Sequence, residues 1–255
     1  MTTTTATDHH PVLAKVRKLL ALAEDPAATT AEAETYTAKA TQLIADYGID
    51  RALVAAADPA RDPIGDRIVV LDAPYAADKA DLLVTVATRL RCAAVRRTRR
   101  GPGLRGSTKE LSIHLFGHAS DLERSELLFT SLLLQSARGL ARTPVPDWEH
   151  KAAFRRSWLA GFRQAVGRRL ADVERRAEAR AESRYERAGT STGLVLADRA
   201  ALVVGAMEST YPDLGTARPR HLSGSGGAEG WAAGQRADLG GTALTGDRRR
   251  LGGRR

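Results

Sequence analysis

Two histidines four residues apart, His114 and His118, with Asp121 close behind, have the one spacing in this sequence that could suit metal binding. Residues i and i+4 of a β-strand lie on one face, so both imidazoles could reach a single ion. The zincin pattern differs, because it needs two helical histidines with a glutamate directly after the first, where Leu115 stands here. We therefore predict no resident metal or cofactor, and keep these three residues as candidate ligands of a metal-dependent hydrolase or nuclease.

The sequence contains no GxxxxGK[ST] phosphate loop. The strings GTSTG at residues 189–193 and GPGLRG at residues 101–106 match GxSxG and GxGxxG by letters, but neither lies between a predicted strand and a predicted helix, so we predict neither a nucleophile elbow nor a dinucleotide site. A glycine-rich run before residue 228 has two interpretations. It could present backbone N–H groups to an anion. Alternatively, Gly226, Gly230 and Gly234 could let a helix pack closely against the body beside Trp231.

Basic residues dominate the charge of the chain. Its 255 residues contain 39 Lys and Arg against 30 Asp and Glu, a net charge of +9, and only six of these cations are lysine. The planar guanidinium of arginine suits phosphate and carboxylate. Two explanations stay open, namely attraction of nucleic acid or another polyanion, and the codon bias of a GC-rich genome. The composition excludes an acidic calcium buffer and a collagen-like chain, and the single cysteine, Cys92, excludes a disulfide framework.

The cations that we assign to nucleic-acid binding lie in two places, an acid-free stretch between two predicted strands and one face of a long helix. They are Arg96, Arg97, Arg99, Arg100, Arg105 and Lys109 in the first place, and Arg169, Arg176, Arg180 and Arg184 in the second. The glutamates from Glu174 to Glu186 fall on the opposite helix face and are expected to form a solvated stripe. Alternatives for this helix are a plain solvated surface and self-association.

Hydrophobic periodicity predicts the elements that must position these residues. Apolar stripes indicate a helix over Val12–Glu24 and a second helix that ends at Gly48, with Thr29-x-x-Glu32 as a capping box between them. Further helices are predicted at Asp78–Leu90, from the capping box Ser120-x-x-Glu123 to Ala141, over residues 148–188, and at Arg199–Tyr211. Strands are predicted at Arg67–Leu71, Cys92–Arg97, Glu110–Phe116 and Thr192–Ala197, with a mobile, exposed loop over residues 96–109.

Within the long helix, Phe154, Trp158 and Phe162 recur at core spacing, so they are not expected to stack on nucleic-acid bases. After Val173 the apolar stripe fades, and we expect the rest of this helix to project from the body or fray.

The domain organisation follows from these elements. Residues 1–10 are expected to be a disordered tail, 11–50 a helical hairpin, 51–65 a linker, 66–217 an α+β domain that includes the long helix 148–188, and 218–255 a Gly/Arg-rich, partly disordered tail.

The run Lys15–Asp50 resembles the helical-hairpin module of the domain of unknown function 2786 family, which occurs in actinobacterial and phage proteins. The resemblance depends on the basic KVRKLLALA helix, the acidic AEAE segment and the closing DYGID. The later stretches LFGHASDLERSELLFTSLL, WLAGFRQAVGRRL and TGLVLADR are similar to the region that follows the module in longer members. The resemblance implies an α-hairpin followed by an α+β region, and it implies no activity and no functional residue.

The fold class predicted is α+β, mainly α, with an N-terminal helical hairpin, a helix-strand-strand-helix body, a long helix and a basic tail. Our first functional hypothesis is a sequence-independent nucleic-acid-binding accessory protein that contacts DNA or RNA through its basic surface. The alternatives are the metal-dependent enzyme named above and an adaptor that binds another protein through the hairpin. No apolar run reaches 18 residues and the start lacks the layout of a signal peptide, so we expect a cytoplasmic protein with no membrane partner.

Overall fold

The computed structural model describes residues 11–25, 27, 29–103, 106–185, 191–215 and 220–237. The predicted tail at residues 1–10 and the end of the chain from residue 238 therefore lie outside the described residues. The helices are α1 Pro11–Glu24, α2 Thr30–Ala57, α3 Ala76–Arg89, α4 Ala119–Arg142, α5 Lys151–Tyr185, α6 Thr192–Thr210 and α7 Gly227–Arg236. The strands are β1 Ile64–Leu71, β2 Ala93–Gly103 and β3 Gly106–His118. The predicted α+β, mainly α, class is confirmed.

Helices α1 and α2 form the predicted hairpin. Thr29 and Glu32 make the reciprocal hydrogen bonds of a capping box at the start of α2, as predicted. Val16 and Leu20 of α1 are buried against Ala40 and Ile44 of α2. Each helix thus covers the apolar stripe of the other.

The predicted linker over residues 51–65 is wrong. Helix α2 continues through Gly48 to Ala57, and a short 3-10 turn at Pro59–Arg61 leads directly into β1. The extension is stabilised by packing, because Ile49 and Ala52 are buried against α5 and α6. A glycine inside a helix costs only about 1 kcal/mol, which this burial outweighs.

The three strands form an antiparallel sheet in the order β1-β3-β2. The predicted loop over residues 96–109 is wrong, because β2 and β3 stay paired as far as Gly103 opposite Gly106. Strand β1 pairs with β3 only from Leu111 to His118, so the ends of β2 and β3 form a two-stranded ribbon beyond β1. The glycines and the proline of this segment lie within the ribbon. The two strands pair there although the segment lacks a long run of β-branched residues.

The main core lies between one face of the sheet and helices α3, α4 and α5. Ile113 and Leu115 of β3 are buried there with Leu83 of α3. Trp158 and Phe162 of α5 stack with their ring centroids 5.5 Å apart, and both are buried as predicted. The opposite face of the sheet is covered by α6, which buries Val203 against β2 and β3.

Two predictions about the later helices are wrong. The second half of α5 does not project, because Ala177 and Ala181 are buried with Ile49 of α2 and Leu196 of α6. Small alanines leave little hydrophobic signal in a sequence but permit close helix packing. The predicted strand at Thr192–Ala197 is the first part of α6, which begins with the side chain of Ser191 accepting a hydrogen bond from the Leu194 N–H.

Helix α7 packs on α5 through glycines, as the second interpretation of the glycine-rich run predicted. A Cβ added at Gly230 would collide with the carbonyl of Trp158, and one at Gly234 would lie 2.5 Å from the carbonyl oxygen of Phe162. The loop before α7 also binds an anionic group, which is a carboxylate of the same chain. The N–H of Ser225 donates to the carboxylate of Glu149 at 2.7 Å.

Candidate nucleic-acid interface

His114 belongs to a hydrogen-bond chain that joins the sheet to α6. Its Nε2 lies 2.7 Å from Oδ2 of Asp66 on β1, and its Nδ1 lies 2.7 Å from the hydroxyl of Tyr211 just after α6. Because a carboxylate only accepts, Nε2–H donates to Asp66, and in the neutral imidazole Nδ1 then accepts from the phenol. Both ring nitrogens of His114 are therefore engaged by protein groups, which fixes the end of α6 on the sheet.

The other two candidate metal ligands have separate partners. His118 Nδ1 lies 2.8 Å from the backbone carbonyl of Asp62, and Asp121 accepts a hydrogen bond from Arg124 at 2.6 Å. Across the residues that the structure describes, no three His, Cys, Asp or Glu side chains are grouped as a metal ion would require. The sequence spacing of His114 and His118 is thus not accompanied by convergence with Asp121.

Asp62 holds the start of α4. Its carboxylate accepts hydrogen bonds from the N–H and the hydroxyl of Ser120, at 2.9 and 2.7 Å, and from Arg199 of α6 at 2.6 Å. The capping box predicted at Ser120 and Glu123 is therefore wrong, since Ser120 bonds to Asp62 and Glu123 pairs with Arg17 of α1. Burial alone would raise the pKa of Asp62, but these hydrogen bonds and the Arg199 charge outweigh it, and the pKa is lowered.

A buried ion network connects α4 to α5. Arg124 is fully buried and donates to Asp121 and, at 2.5 Å, to Glu174, which also accepts from Arg91 at 2.7 Å. Burial opposes the charge of Arg124, yet the two carboxylates raise its pKa above the usual value. The expected solvated glutamate stripe is thus wrong at Glu174, which is 6% exposed.

Gly48 of the DYGID segment has a specific reason to be glycine. A Cβ at this position would overlap the guanidinium of Arg124, whose side chain passes directly over α2 there. The hairpin is therefore fixed to the body at the point where a buried charge crosses its second helix.

The cations assigned to nucleic-acid binding are divided among several environments. Arg96 pairs with Asp81 of α3, Arg180 with Asp46 at 2.7 Å, and Arg184 with Asp50 at 3.6 Å. Arg169 donates to the carbonyls of Gly234 and Ala237, which fixes the end of α7. Arg97 is half-buried, while Arg99 and Arg176 are exposed. Arg105 lies outside the described residues, and only the backbone of Arg100 and Lys109 is described.

A different set of arginines lines a groove between α3 and α5. This α3–α5 groove has a volume of about 640 Å³, and its walls carry four arginines and one aspartate. They are Arg89, Arg163, Arg168, Arg175 and Asp172. Helices α3 and α5 are in close contact at the floor of the groove, because a Cβ added to Gly167 would lie 2.7 Å from the Thr85 methyl group. The hydroxyls of Thr85 and Thr88 and the amide of Gln164 add neutral hydrogen-bonding groups.

Three of these four arginines have no carboxylate partner within the part of the chain that the structure describes. Arg175 pairs with Asp172, whereas Arg89, Arg163 and Arg168 are in no ion pair there. The nearest polar contact of Arg163 is the Thr85 hydroxyl at 3.4 Å. A second cavity of about 550 Å³ shares Thr85 and Arg163 with the groove and extends it along α3.

Trp231 of α7 stands at the margin of the groove. Its ring is half-buried, and the guanidinium of Arg168 lies 5.3 Å from the ring centroid, which is cation–π distance. The sequence does not indicate this groove, because its arginines are spread over two helices far apart in the chain. The one available signal was Gly167 within a long helix, which marks the close approach of a neighbouring element.

The fold and these sites define a mainly helical α+β protein in which an N-terminal helical hairpin is fixed to a sheet-containing body by apolar packing and by partly exposed ion pairs. The family model described as a protein of unknown function (DUF2786) matches residues 12–51, which comprise most of α1 and the larger part of α2. The resemblance found in the sequence is thereby confirmed for this segment. No curated protein and no solved structure matches the chain. In the part of the chain that is described, no helix has both the length and the apolar character needed to cross a membrane.

Proposed function

We propose that this protein binds nucleic acid without sequence preference, through the α3–α5 groove. The observation that carries the proposal is the set of three arginines, Arg89, Arg163 and Arg168, that line one groove without a carboxylate partner among the described residues. Placing cations close together without counter-ions is electrostatically unfavourable in the isolated protein. A phosphate backbone removes that repulsion and releases its own counter-ions when it binds.

The groove offers more to a phosphate chain than the long-helix cations proposed from the sequence. Arg180 and Arg184 would have to break ion pairs with α2 to bind phosphate. Arg163 and Arg168, by contrast, are in no ion pair within the described residues, and five residues of α5 separate them by about 7.5 Å along the groove at 1.5 Å per residue. Thr88 and Gln164 can donate further hydrogen bonds to phosphate oxygens, while the Thr85 hydroxyl already donates to the carbonyl of Asp81.

Binding of a labelled oligonucleotide, measured by fluorescence anisotropy over a series of salt concentrations, tests this proposal. With three phosphate contacts, the logarithm of the binding constant should fall with the logarithm of the salt concentration with a slope of about −2 for a single strand. The changes Arg163→Ala and Arg89→Ala should each weaken binding of all sequences alike. Each should also reduce the slope by about 0.7.

Arg176→Ala is the matched control, because Arg176 is exposed on the same helix but does not line the groove. It should leave both affinity and slope unchanged. The same experiment tests whether Arg176 and Arg99, which the sequence indicates as nucleic-acid contacts, bind the oligonucleotide. A large loss on changing those two residues, with no loss on changing the groove arginines, would contradict the proposal.

The two alternative functions have less support from the described residues. His114 and His118 are held by different protein partners, which leaves the metal-dependent enzyme without a converged ligand set in the described part of the chain. The adaptor hypothesis needs an available apolar face on the hairpin. Leu13, Val16, Leu20, Ala40 and Ile44, however, are already buried within the chain.

A further inference from the structure

We propose that the ligand of the α3–α5 groove is a single strand rather than a duplex, and that Trp231 stacks on one of its bases. This inference rests on the proposed function and names the substrate class of the same site. It depends on three observations that the charge alone does not supply, namely the size of the groove, the attachment of Trp231 and the position of Arg168.

The size of the groove fits a single strand. Its volume of about 640 Å³ lies within the range of roughly 300–1,000 Å³ that is typical of sites for small ligands, which corresponds to a few nucleotides. The walls are two helices in close contact at Gly167 and Thr85. A rigid duplex can therefore touch only the rim arginines. A single strand can place its phosphates inside the groove, next to Arg163 and the threonine hydroxyls.

Trp231 is held firmly at the groove margin. Helix α7 approaches α5 so closely that a Cβ at Gly161 would collide with the carbonyl of Gly227, and one at Gly230 with that of Trp158. Arg169 fixes the other end of α7 by donating to the carbonyls of Gly234 and Ala237. An aromatic ring on such a fixed element loses little conformational entropy when a base stacks on it.

Arg168 already occupies the place that a base would take. Its guanidinium, a flat cation, lies over the Trp231 ring at 5.3 Å from the centroid. The guanidinium is at the end of a flexible side chain, so it can move to a neighbouring phosphate while a base takes its position on the indole. An aromatic ring beside a cation-lined groove is the combination by which proteins bind single strands without sequence preference.

The first test needs no variant and uses three probes on the full chain, a thymidine oligonucleotide, the corresponding duplex, and an abasic strand with the same number of phosphates. Loss of one stacked base should weaken binding about 5- to 150-fold. We expect the oligonucleotide to bind more tightly than either of the other probes by a factor in that range. Equal affinity for the oligonucleotide and the abasic strand would overturn the stacking of a base.

The second test uses tryptophan fluorescence. Trp158 is buried and Trp148 is 79% exposed, so Trp148→Phe removes the background and leaves Trp231 as the accessible ring. The thymidine oligonucleotide should quench the emission of this variant, and the abasic strand should not. Trp231→Leu keeps apolar bulk but lacks a π-face and should lose affinity for the oligonucleotide, while Trp231→Phe should recover part of it.

The outcomes separate this inference from the proposed function. Equal binding of duplex and single strand, with loss only in the arginine variants, would overturn the inference and leave the proposed function intact. Absence of binding to every probe at low salt would overturn both. If Trp231→Leu does not fold, as judged by its melting curve, the comparison of oligonucleotide with abasic strand still decides.

Discussion

One residue, Asp62, joins three elements of this protein. Its carboxylate accepts hydrogen bonds from Ser120 at the start of α4 and from Arg199 of α6, and its backbone carbonyl accepts one from His118 of β3. The Ser-x-x-Glu pattern predicts a local capping box at the start of α4. A partner 58 residues earlier in the chain supplies the cap instead. Local patterns do not contain this information.

The lowered pKa of Asp62 gives a pH-dependent contribution to stability. Its folded-state pKa lies below the 3.8 of an unperturbed aspartate, so the stabilisation is fully present above that value. It is lost as the pH falls through the lowered folded-state pKa. We expect Asp62→Asn to lower the free energy of unfolding by about 3 kcal/mol near pH 7, because it removes the nearer counter-charge of buried Arg199 and leaves only Asp121 at 3.6 Å. The difference between wild type and variant should shrink below about pH 4.

Urea unfolding over this pH range measures the effect. Asp58→Asn is the control, since Asp58 is exposed and its ion pair is with exposed Arg61, and it should change stability by less than about 1 kcal/mol. A gap between wild type and Asp62→Asn that stays constant down to acid pH would show that ionisation of Asp62 is not the source of its effect.

At the scale of elements, the helix boundaries that the sequence pattern predicts wrongly are those that tertiary packing decides. Helix α2 continues beyond Gly48 because Ile49 and Ala52 pack on α5. The first residues of α6 have the composition of a strand, but their helix buries Leu196 against the alanines of α5. The glycines of α7 are the opposite case, since their spacing of four residues predicted the close approach that the structure contains.

The attachment of α7 leads to a prediction. In Gly230→Ala, the added methyl group would meet the backbone of Trp158, which cannot move as a flexible side chain would. We expect this variant to lose about 1–3 kcal/mol of stability, as is usual when a packed contact is overfilled. The displacement of Trp231 should also reduce single-strand affinity.

Gly205→Ala provides the control for that experiment. Gly205 also lies within a helix, α6, but nothing lies within 4 Å of the position that its Cβ would take. Because alanine favours helix over glycine, this variant should be more stable than the wild type by up to about 1 kcal/mol. Thermal unfolding of the two variants tests this explanation, because we expect a loss of stability for Gly230→Ala and a gain for Gly205→Ala. A gain in stability for both would contradict it.

At the scale of the whole molecule, the fold class and the hairpin were predictable because they depend on periodicity within single segments. The stripe of Val16 and Leu20 and the capping box of Thr29 are local signals. The groove and the buried network were not predictable, because each depends on residues brought together across long separations. Arg91 meets Glu174 across 83 residues, and no pattern in either neighbourhood indicates that contact.

The buried network should dominate the attachment of α4 to α5. Glu174→Gln removes the charge that faces Arg91 and fully buried Arg124, and we expect a loss of about 3–5 kcal/mol in the free energy of unfolding. Asp46→Asn removes the partner of Arg180 at a partly exposed site and should cost less than about 1 kcal/mol. Denaturant unfolding of both variants measures this contrast, and equal losses would refute the dominant role of the buried pair.

The side chain of Arg124 crosses α2 at Gly48, and this contact limits which helical hairpins could replace the one in this chain. The segment that matches the family model ends at residue 51, whereas the side chain that requires glycine at position 48 comes from α4, far outside that segment. A hairpin grafted from another protein will therefore dock on this body without displacing the Arg124 side chain only if it carries glycine at that position. A body with a small residue in place of Arg124 would accept hairpins that this one rejects.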